Sequence, residues 1–260
     1  MKVSIVTVCY NAAATIRDAL TSVATQRLGV GDAVEHLVMD GGSTDGTVDV
    51  IREFADEVAR AGERADYAFR WASERDDGMY DAMNKGINHC SGDVVGILNS
   101  DDFFTSDDII SKIAEAFTED IDAVYGDIHF IRKENPHKCT RYYSSKIWRP
   151  GMLRFGFMPA HPTFYVRRSI YMAHGLYSLD YRIASDYDMM VRLFYANRIK
   201  AKYLPYDFVT MRQGGLSTQG AKSRLILNKE DIKACRRYGM KTNYAFISCK
   251  YFKKIFEFRF

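Results

Sequence analysis

The sequence predicts an α/β fold: a mostly parallel sheet flanked by helices, then a mixed part, then a helical tail. Three observations carry this. Strand-length apolar runs alternate with helix-spaced segments through the first half. Turn and capping residues fall between them. Past about residue 120 the alternation stops, strand signals pair with each other, and aromatic residues take over. Strands interleaved with helices of this length build a parallel sheet covered on both faces.

Taken in order, Val3–Cys9 is an apolar strand, and Ala12–Gln26 has helical spacing through Ile16, Leu20 and Val23. Glu35–Met39 is a second strand. Ser43, Thr44 and Asp45 are capping residues that predict a helix start, with Val48, Ile51 and Phe54 on one face. Ala68–Ala72 is a short strand, Met79–His89 a helix, Asp93–Leu98 a strand and 107–117 a helix. Ala123–Arg132 and Cys139–Ser144 read as paired strands around an Asn135-Pro136 turn. A helix follows at Ser185–Asn197.

The chain has 260 residues, of which 47% are hydrophobic, 27% charged and 13% aromatic. That composition supports one sizeable core and excludes disordered, fibrous and collagen-like chains. No apolar run approaches the ~20 residues that span a bilayer. The opening Met1–Tyr10 is too short and polar for a signal peptide and reads as a buried strand. The five cysteines and six histidines show no metal-ligand spacing, which predicts a reduced cytoplasmic setting. No repeat or flexible linker divides the chain. Residues 1–221 read as one domain with halves 1–105 and 106–221, and 222–260 as an extension. The net charge of +3 hides an asymmetry: Lys222–Phe260 carries eleven Lys or Arg against three acids, a net of +8, which leaves −5 before it. No nucleic-acid-binding signature accompanies these basic residues, so no nucleic-acid partner is expected.

Ligands of parallel sheets bind beyond the carboxyl ends of the strands. Three segments rich in polar residues fall there: Tyr10-Asn11, Asp40-Gly41-Gly42-Ser43-Thr44-Asp45, and Asn99-Ser100-Asp101-Asp102. Adjacent carboxylates such as Asp101 and Asp102 repel unless compensated, and a hard divalent cation compensates them; the structural alternative is a capped loop. Asp40 precedes two glycines, the mark of a tight turn or of close backbone approach to a ligand. A carboxylate there can accept a hydrogen bond from the ring N–H of a uracil, and Tyr10 can offer its ring face to the same base. The polar run Glu74–Gly86 includes Asp77, Asn84 and Lys85, more polarity than a helix start requires. Asp186 and Asp188 stand at the start of the helix from Ser185; the structural alternative is capping by Ser185 or Asp186, the functional one a general base. Arg212, Gly214, Gly215 and Ser217 form a flexible polar loop suited to phosphates.

In combination these segments resemble the family-2 inverting glycosyltransferases of GT-A fold, of the kind that build bacterial surface polysaccharides. The resemblance runs from about Val3 to Ser217 and is carried by Val3–Asn11, Met39–Thr47, Asp77–Gly86, Asn99–Asp102 and Ser185–Asp188. It implies a nucleotide-sugar site over Thr7, Tyr10, Asn11, Asp40, Asp77 and Lys85, continuing to Asn99 and Asp101. It further implies a divalent cation, manganese or magnesium, at Asp101 and Asp102. The base would be Asp186, with Asp188 the runner-up. Two departures stand out: the family's Asp-x-Asp begins here with Asn99, and the Glu that precedes the family's base is Ser185.

The resemblance implies a UDP-sugar donor and a glycan or polyprenyl-diphosphate-linked acceptor. The basic aromatic tail suits an anionic membrane surface, on the cytoplasmic face, or docking on the protein or a second subunit. Two other classes compete. A nucleotidyltransferase would carry a Gly-rich, basic loop after the first strand, where Asn11-Ala12-Ala13-Ala14 stands instead. A noncatalytic binding module has no need of the acids at Asp102 and Asp186.

Overall fold

The computed structural model describes residues 1–132, 135, 138–213, 220–255 and 257. The first half follows the predicted alternation: β1 (Lys2–Cys9), α1 (Ile16–Ala24), β2 (Ala33–Asp40), α2 (Thr47–Arg60), β3 (Tyr67–Ser73), α3 (Met79–His89) and β4 (Val94–Asn99). Next come β5 (Phe103–Phe104), α4 (Ile109–Ala116), β6 (Ala123–Ile131), β7 (Arg141–Tyr143), β8 (Tyr165–Arg167) and α5 (Arg168–His174). The chain ends with α6 (Ser185–Met190), which runs into a π-helical turn at Val191–Ala196, then β9 (Ala201–Arg212), α7 (Gly220–Arg237) and α8 (Tyr244–Ile255).

One sheet has the order β3-β2-β1-β4-β8-β6-β9-β5, with β7 paired to β6. β3, β2, β1 and β4 run parallel. β8 joins antiparallel to β4 and to β6, so the sheet changes character there. The parallel strands are continuous apolar runs because helices cover both faces: Val3, Ile5, Val94 and Leu98 pack on one side, and Val6, Val95 and Ile97 on the other. Gly96 in β4 is required by packing, since the Tyr165 ring of β8 occupies the place a Cβ would take.

Several boundaries differ from expectation. α2 begins at Thr47, after Gly46 turns left-handed at φ 92°, and Asp45 Oδ1 accepts the N–H of Thr47 at 3.0 Å. Ser43 and Asp45 also tie their loop to the end of β1: Asn11 N–H donates to Ser43 Oγ at 2.7 Å and Ala13 N–H to Asp45 Oδ2 at 3.1 Å. The 12-residue β9 was not predicted. The described part of α8 packs on the rest of the chain. Ile247 of α8 is fully buried, Tyr251 Oη donates to Asn228 Oδ1 at 2.9 Å, and Phe246 packs on Phe155. No helix among the described residues is long and apolar enough to cross a membrane. The five cysteines are all free thiols.

Candidate active site

Sheet register brings the three polar segments together. Cys9 of β1 is level with Asp40 of β2, and Val8 with Asn99 of β4. The carboxyl ends of three adjacent strands therefore open on one crevice. Tyr10 leaves β1 with 65% of its surface exposed. Asn11 holds a left-handed backbone, φ 51°, uncommon outside glycine. Its side chain fixes that turn by accepting the Thr44 N–H at 2.9 Å.

Asp40 is 2% exposed, and its own turn takes up its oxygens. Oδ2 accepts from Gly42 N–H at 3.1 Å, Ser43 N–H at 3.0 Å and Ser73 Oγ at 2.6 Å; Oδ1 accepts from Ser43 Oγ at 2.5 Å. Burial pushes this carboxyl up, but the hydrogen bonds from Ser43 and Ser73 outweigh it and hold it below the usual range. Asp40 thus shapes the crevice from within. The Asp76 carboxylate lies against Gly41, close to where a Cβ would stand. Asp76, not expected from the sequence, faces this turn and also accepts Gly78 N–H at 2.8 Å. Asp77, one residue on, is exposed.

Two expected nucleotide contacts are otherwise engaged. Thr7 is fully buried and hydrogen-bonds His36 Nε2 at 2.9 Å; it lies two residues short of the strand end, inside the sheet. Lys85 fastens the segment before α3, pairing with Glu74 at 3.1 Å and Asp81 at 3.3 Å and donating to Arg75 O at 3.1 Å. Its neighbour Asn84 holds the Tyr177 backbone at both ends, donating to its carbonyl at 2.8 Å and accepting its N–H at 2.9 Å.

At the end of β4, Asp102 is fully buried. Asn99 Nδ2 donates to Asp102 Oδ2 at 3.0 Å, while Asp102 Oδ1 and Asn99 Oδ1 have no hydrogen-bond partner among the described residues. Burial first, and the Asp101 charge second, push the Asp102 carboxyl well above the usual range. Arg212 braces this turn from β9: it donates to Asp101 O at 2.9 Å, pairs with Asp18 and covers the Phe103 ring. Its guanidinium is therefore committed to the protein. Gly214, Gly215 and Ser217 lie outside the described residues. Among the described residues no three His, Cys, Asp or Glu side chains form a ready metal cage. Two unpartnered buried oxygens beside a second carboxylate nevertheless fit a hard cation, which takes one or two carboxylates and fills its shell with phosphate oxygens and water.

Asp186 is partly exposed at the start of α6. Its Oδ1 accepts Tyr187 N–H at 2.8 Å and stands 3.4 Å from Tyr80 Oη. Burial pushes its carboxyl up to about 6, against the pull of those hydrogen bonds. Tyr80 belongs to the first turn of α3, so the helix that starts at the crevice also touches Asp186. Asp188 is fully buried and points to Tyr238, 3.3 Å away. Of the two acids, only Asp186 keeps a route to solvent.

The profile of glycosyl transferase family 2 matches residues 4–172. The chain belongs to this family. A relative named PGL/p-HBAD biosynthesis glycosyltransferase, from Mycobacterium bovis (strain BCG / Pasteur 1173P2), is 30% identical over 234 residues, 88% of this chain and 82% of the relative. Among solved structures, the mannosyltransferase PcManGT from Pyrobaculum calidifontis, in complex with GDP-Man and Mn2+, aligns with a TM-score of 0.66 at 18% identity, over 97% of this chain and 68% of that one. S. aureus TarS 1-349 in complex with UDP aligns with a TM-score of 0.64 at 15% identity, over 93% of this chain and 67% of that one. The chain spans 41% of the longer TarS structure. At these identities the structures establish the GT-A fold alone. Family membership makes the chain a glycosyltransferase and selects that class over nucleotidyl transfer and noncatalytic binding.

Proposed function

We propose that this family-2 enzyme inverts the anomeric centre of a nucleotide-diphosphate sugar, a UDP-sugar in particular, and transfers it to a hydroxyl of a glycan or polyprenyl-diphosphate-linked acceptor of bacterial surface polysaccharide. The observation that carries this reading is the division of carboxylates. Asp101 and Asp102 share one turn at the end of β4, while Asp186 stands elsewhere, against Tyr80. A single displacement needs one base, whereas retention by double displacement needs a paired nucleophile.

In this reading the crevice between Tyr10 and the Asp40 turn takes the nucleoside. Tyr10 supplies a ring face, and the turn fixes the backbone that meets the base. Asn99, Asp101 and Asp102 would hold a divalent cation, manganese or magnesium. When bound, such an ion offsets the charge that develops on the leaving diphosphate. Asp186 accepts the acceptor's hydroxyl proton as the acceptor oxygen bonds to the anomeric carbon and the bond to the diphosphate oxygen breaks. A carboxyl at about 6 is ionised at neutral pH yet more basic than an ordinary one. The Tyr187 N–H, which donates to its Oδ1, keeps it oriented, with the Tyr80 hydroxyl alongside. The described part of α8 leaves Phe252 70% exposed beside a docked face, which supports a peripheral contact with the cytoplasmic leaflet.

The test is a panel of UDP- and GDP-sugars, with Mn2+, Mg2+ or EDTA, read first by thermal shift and then by the configuration of the glycosidic product. Stabilisation by a UDP-sugar and an inverted product are expected. A retained configuration would overturn the single-base mechanism.

A further inference from the structure

Glu230 stands on α7, far in sequence from the candidate base. Its Oε1 accepts the backbone N–H of Arg182 at 2.9 Å, and its Oε2 accepts those of Ile183 and Ala184, each at 2.9 Å. Three successive N–H groups around one carboxylate are an anion-binding nest, filled here by the chain's own side chain. These residues lead into α6, where Ala184 is the N-cap and no side chain caps the helix in the usual way. Asp186 follows two residues later. The next residue of α7, Asp231, is 2% exposed and pairs with Lys250 of α8 at 2.5 Å. The Lys250 stem lies against Gly156.

Charged and titratable groups from three elements act on Asp186, and of these Tyr80 alone touches its carboxylate. Tyr80 comes from α3, Glu230 and Asp231 from α7, and Lys250 from α8. The Lys250 ammonium favours the ionised form of Asp186, and Asp231 and Asp186 oppose each other's ionisation.

We infer that Glu230 is a positioning residue for the catalytic base, and that the Lys250–Asp231 pair sets the charge around it. The two C-terminal helices thereby complete the active site. The carboxylate of Glu230 pins the backbone of 182–184, and with it the direction in which Asp186 leaves the helix. Ser185, in the place next to the base, hydrogen-bonds Ser178 O at 2.7 Å and takes no part in that support. The inference rests on Asp186 being the base.

The experiment compares Glu230→Gln, Lys250→Met, Lys250→Arg and Asp186→Asn in full-length protein, with UDP affinity by calorimetry and kcat across pH 5 to 9. Glu230→Gln should lower kcat roughly 10- to 100-fold, the scale of a misplaced reacting group, with UDP affinity unchanged. Lys250→Met should move the acidic limb of kcat to higher pH, because the base loses a nearby cation, and Lys250→Arg should restore it. A staple of purely structural effect would lower the melting temperature and leave the limb in place. An active Asp186→Asn defeats the reading of the base itself. An inactive Asp186→Asn, with normal kcat in Glu230→Gln and an unmoved limb in Lys250→Met, overturns this inference alone. If Glu230→Gln does not fold, the position of the limb in the two Lys250 variants decides.

Discussion

The Asn99 amide donates to Asp102 Oδ2 at 3.0 Å, and each residue keeps one side-chain oxygen without a partner. An amide at this position does what a carboxylate cannot: it stabilises the buried Asp102 without any ion. An Asn99→Asp variant replaces that donor with a second negative charge. It should lose about 1–3 kcal/mol of stability in EDTA, the cost of leaving a buried polar group unpaired. Mn2+ should recover more melting temperature in the variant than in the parent. Equal responses to Mn2+ would place the cation away from this turn.

Asp102→Ala should reduce transfer at least ~100-fold, the scale of losing one electrostatic stabiliser of a developing charge. Asp101→Ala should do the same. Turnover by either variant that keeps near-normal dependence on the ion removes that acid from the cation site.

Asp186→Asn should be inactive while binding UDP normally, and Asp188→Asn should keep its chemistry, since Asp188 is closed off from solvent. The parent's kcat should fall as pH drops through about 6, where Asp186 takes up its proton. Stability runs the other way. A carboxyl raised in the folded state favours folding below its unfolded value near 4, and that contribution is lost as pH rises through about 6. Asp186→Asn should therefore be more stable than the parent at pH 8, by ~3 kcal/mol at one pKa unit per 1.36 kcal/mol, and equal to it below pH 4. Denaturant melts at the two pH values check this. A destabilised variant at pH 8 would mean that Asp186 holds the fold together.

Asp40→Ala should weaken UDP binding by ~1.5–3 kcal/mol, the value of a hydrogen bond to a charged acceptor. Given how its oxygens are used, the loss comes from a disordered turn as much as from a missing contact to the base. Stability should drop with it at neutral pH. Because the folded-state carboxyl is held low, its contribution is present above the unfolded value and fades as pH falls through the lowered one. Calorimetry with UDP and melts at pH 7 and pH 3 separate the two effects. Unchanged UDP affinity would remove Asp40 and its turn from nucleotide recognition.

The crevice was legible in the sequence because its parts are local. Asp40 and Asn99 each sit at the end of an apolar run, and parallel register aligns them with β1 without further information. What residues such as Thr7 and Lys85 do was not legible. Their side-chain directions depend on His36 and Glu74, which are partners set by packing. β9 escaped because Pro205 and Asp207 interrupt its alternation, and its register with β6 shifts beside Gly126. The contact of Glu230 with 182–184 joins distant parts of the chain, and it was masked by the basic surroundings of the tail. Net charge marked a basic C-terminal stretch but hid the two acids within it that face inward, Glu230 and Asp231.

α8 presents two chemistries on one helix. Lys250 is drawn inward to Asp231, while Phe252 keeps 70% of its surface in solvent. Removing the whole tail would confuse the two, because it would also remove the ion pair beside Asp186. Phe252→Ser isolates the outward face. An aromatic ring buried in a headgroup region contributes roughly 1.5–3 kcal/mol, so the variant should partition onto anionic vesicles about 10- to 100-fold more weakly. The parent's binding should also weaken between low and physiological salt, since screening cuts the attraction of the basic tail to the lipid surface. Activity on a water-soluble acceptor should be unaffected by Phe252→Ser. Equal vesicle binding by parent and variant, insensitive to salt, would assign this face to protein contact instead.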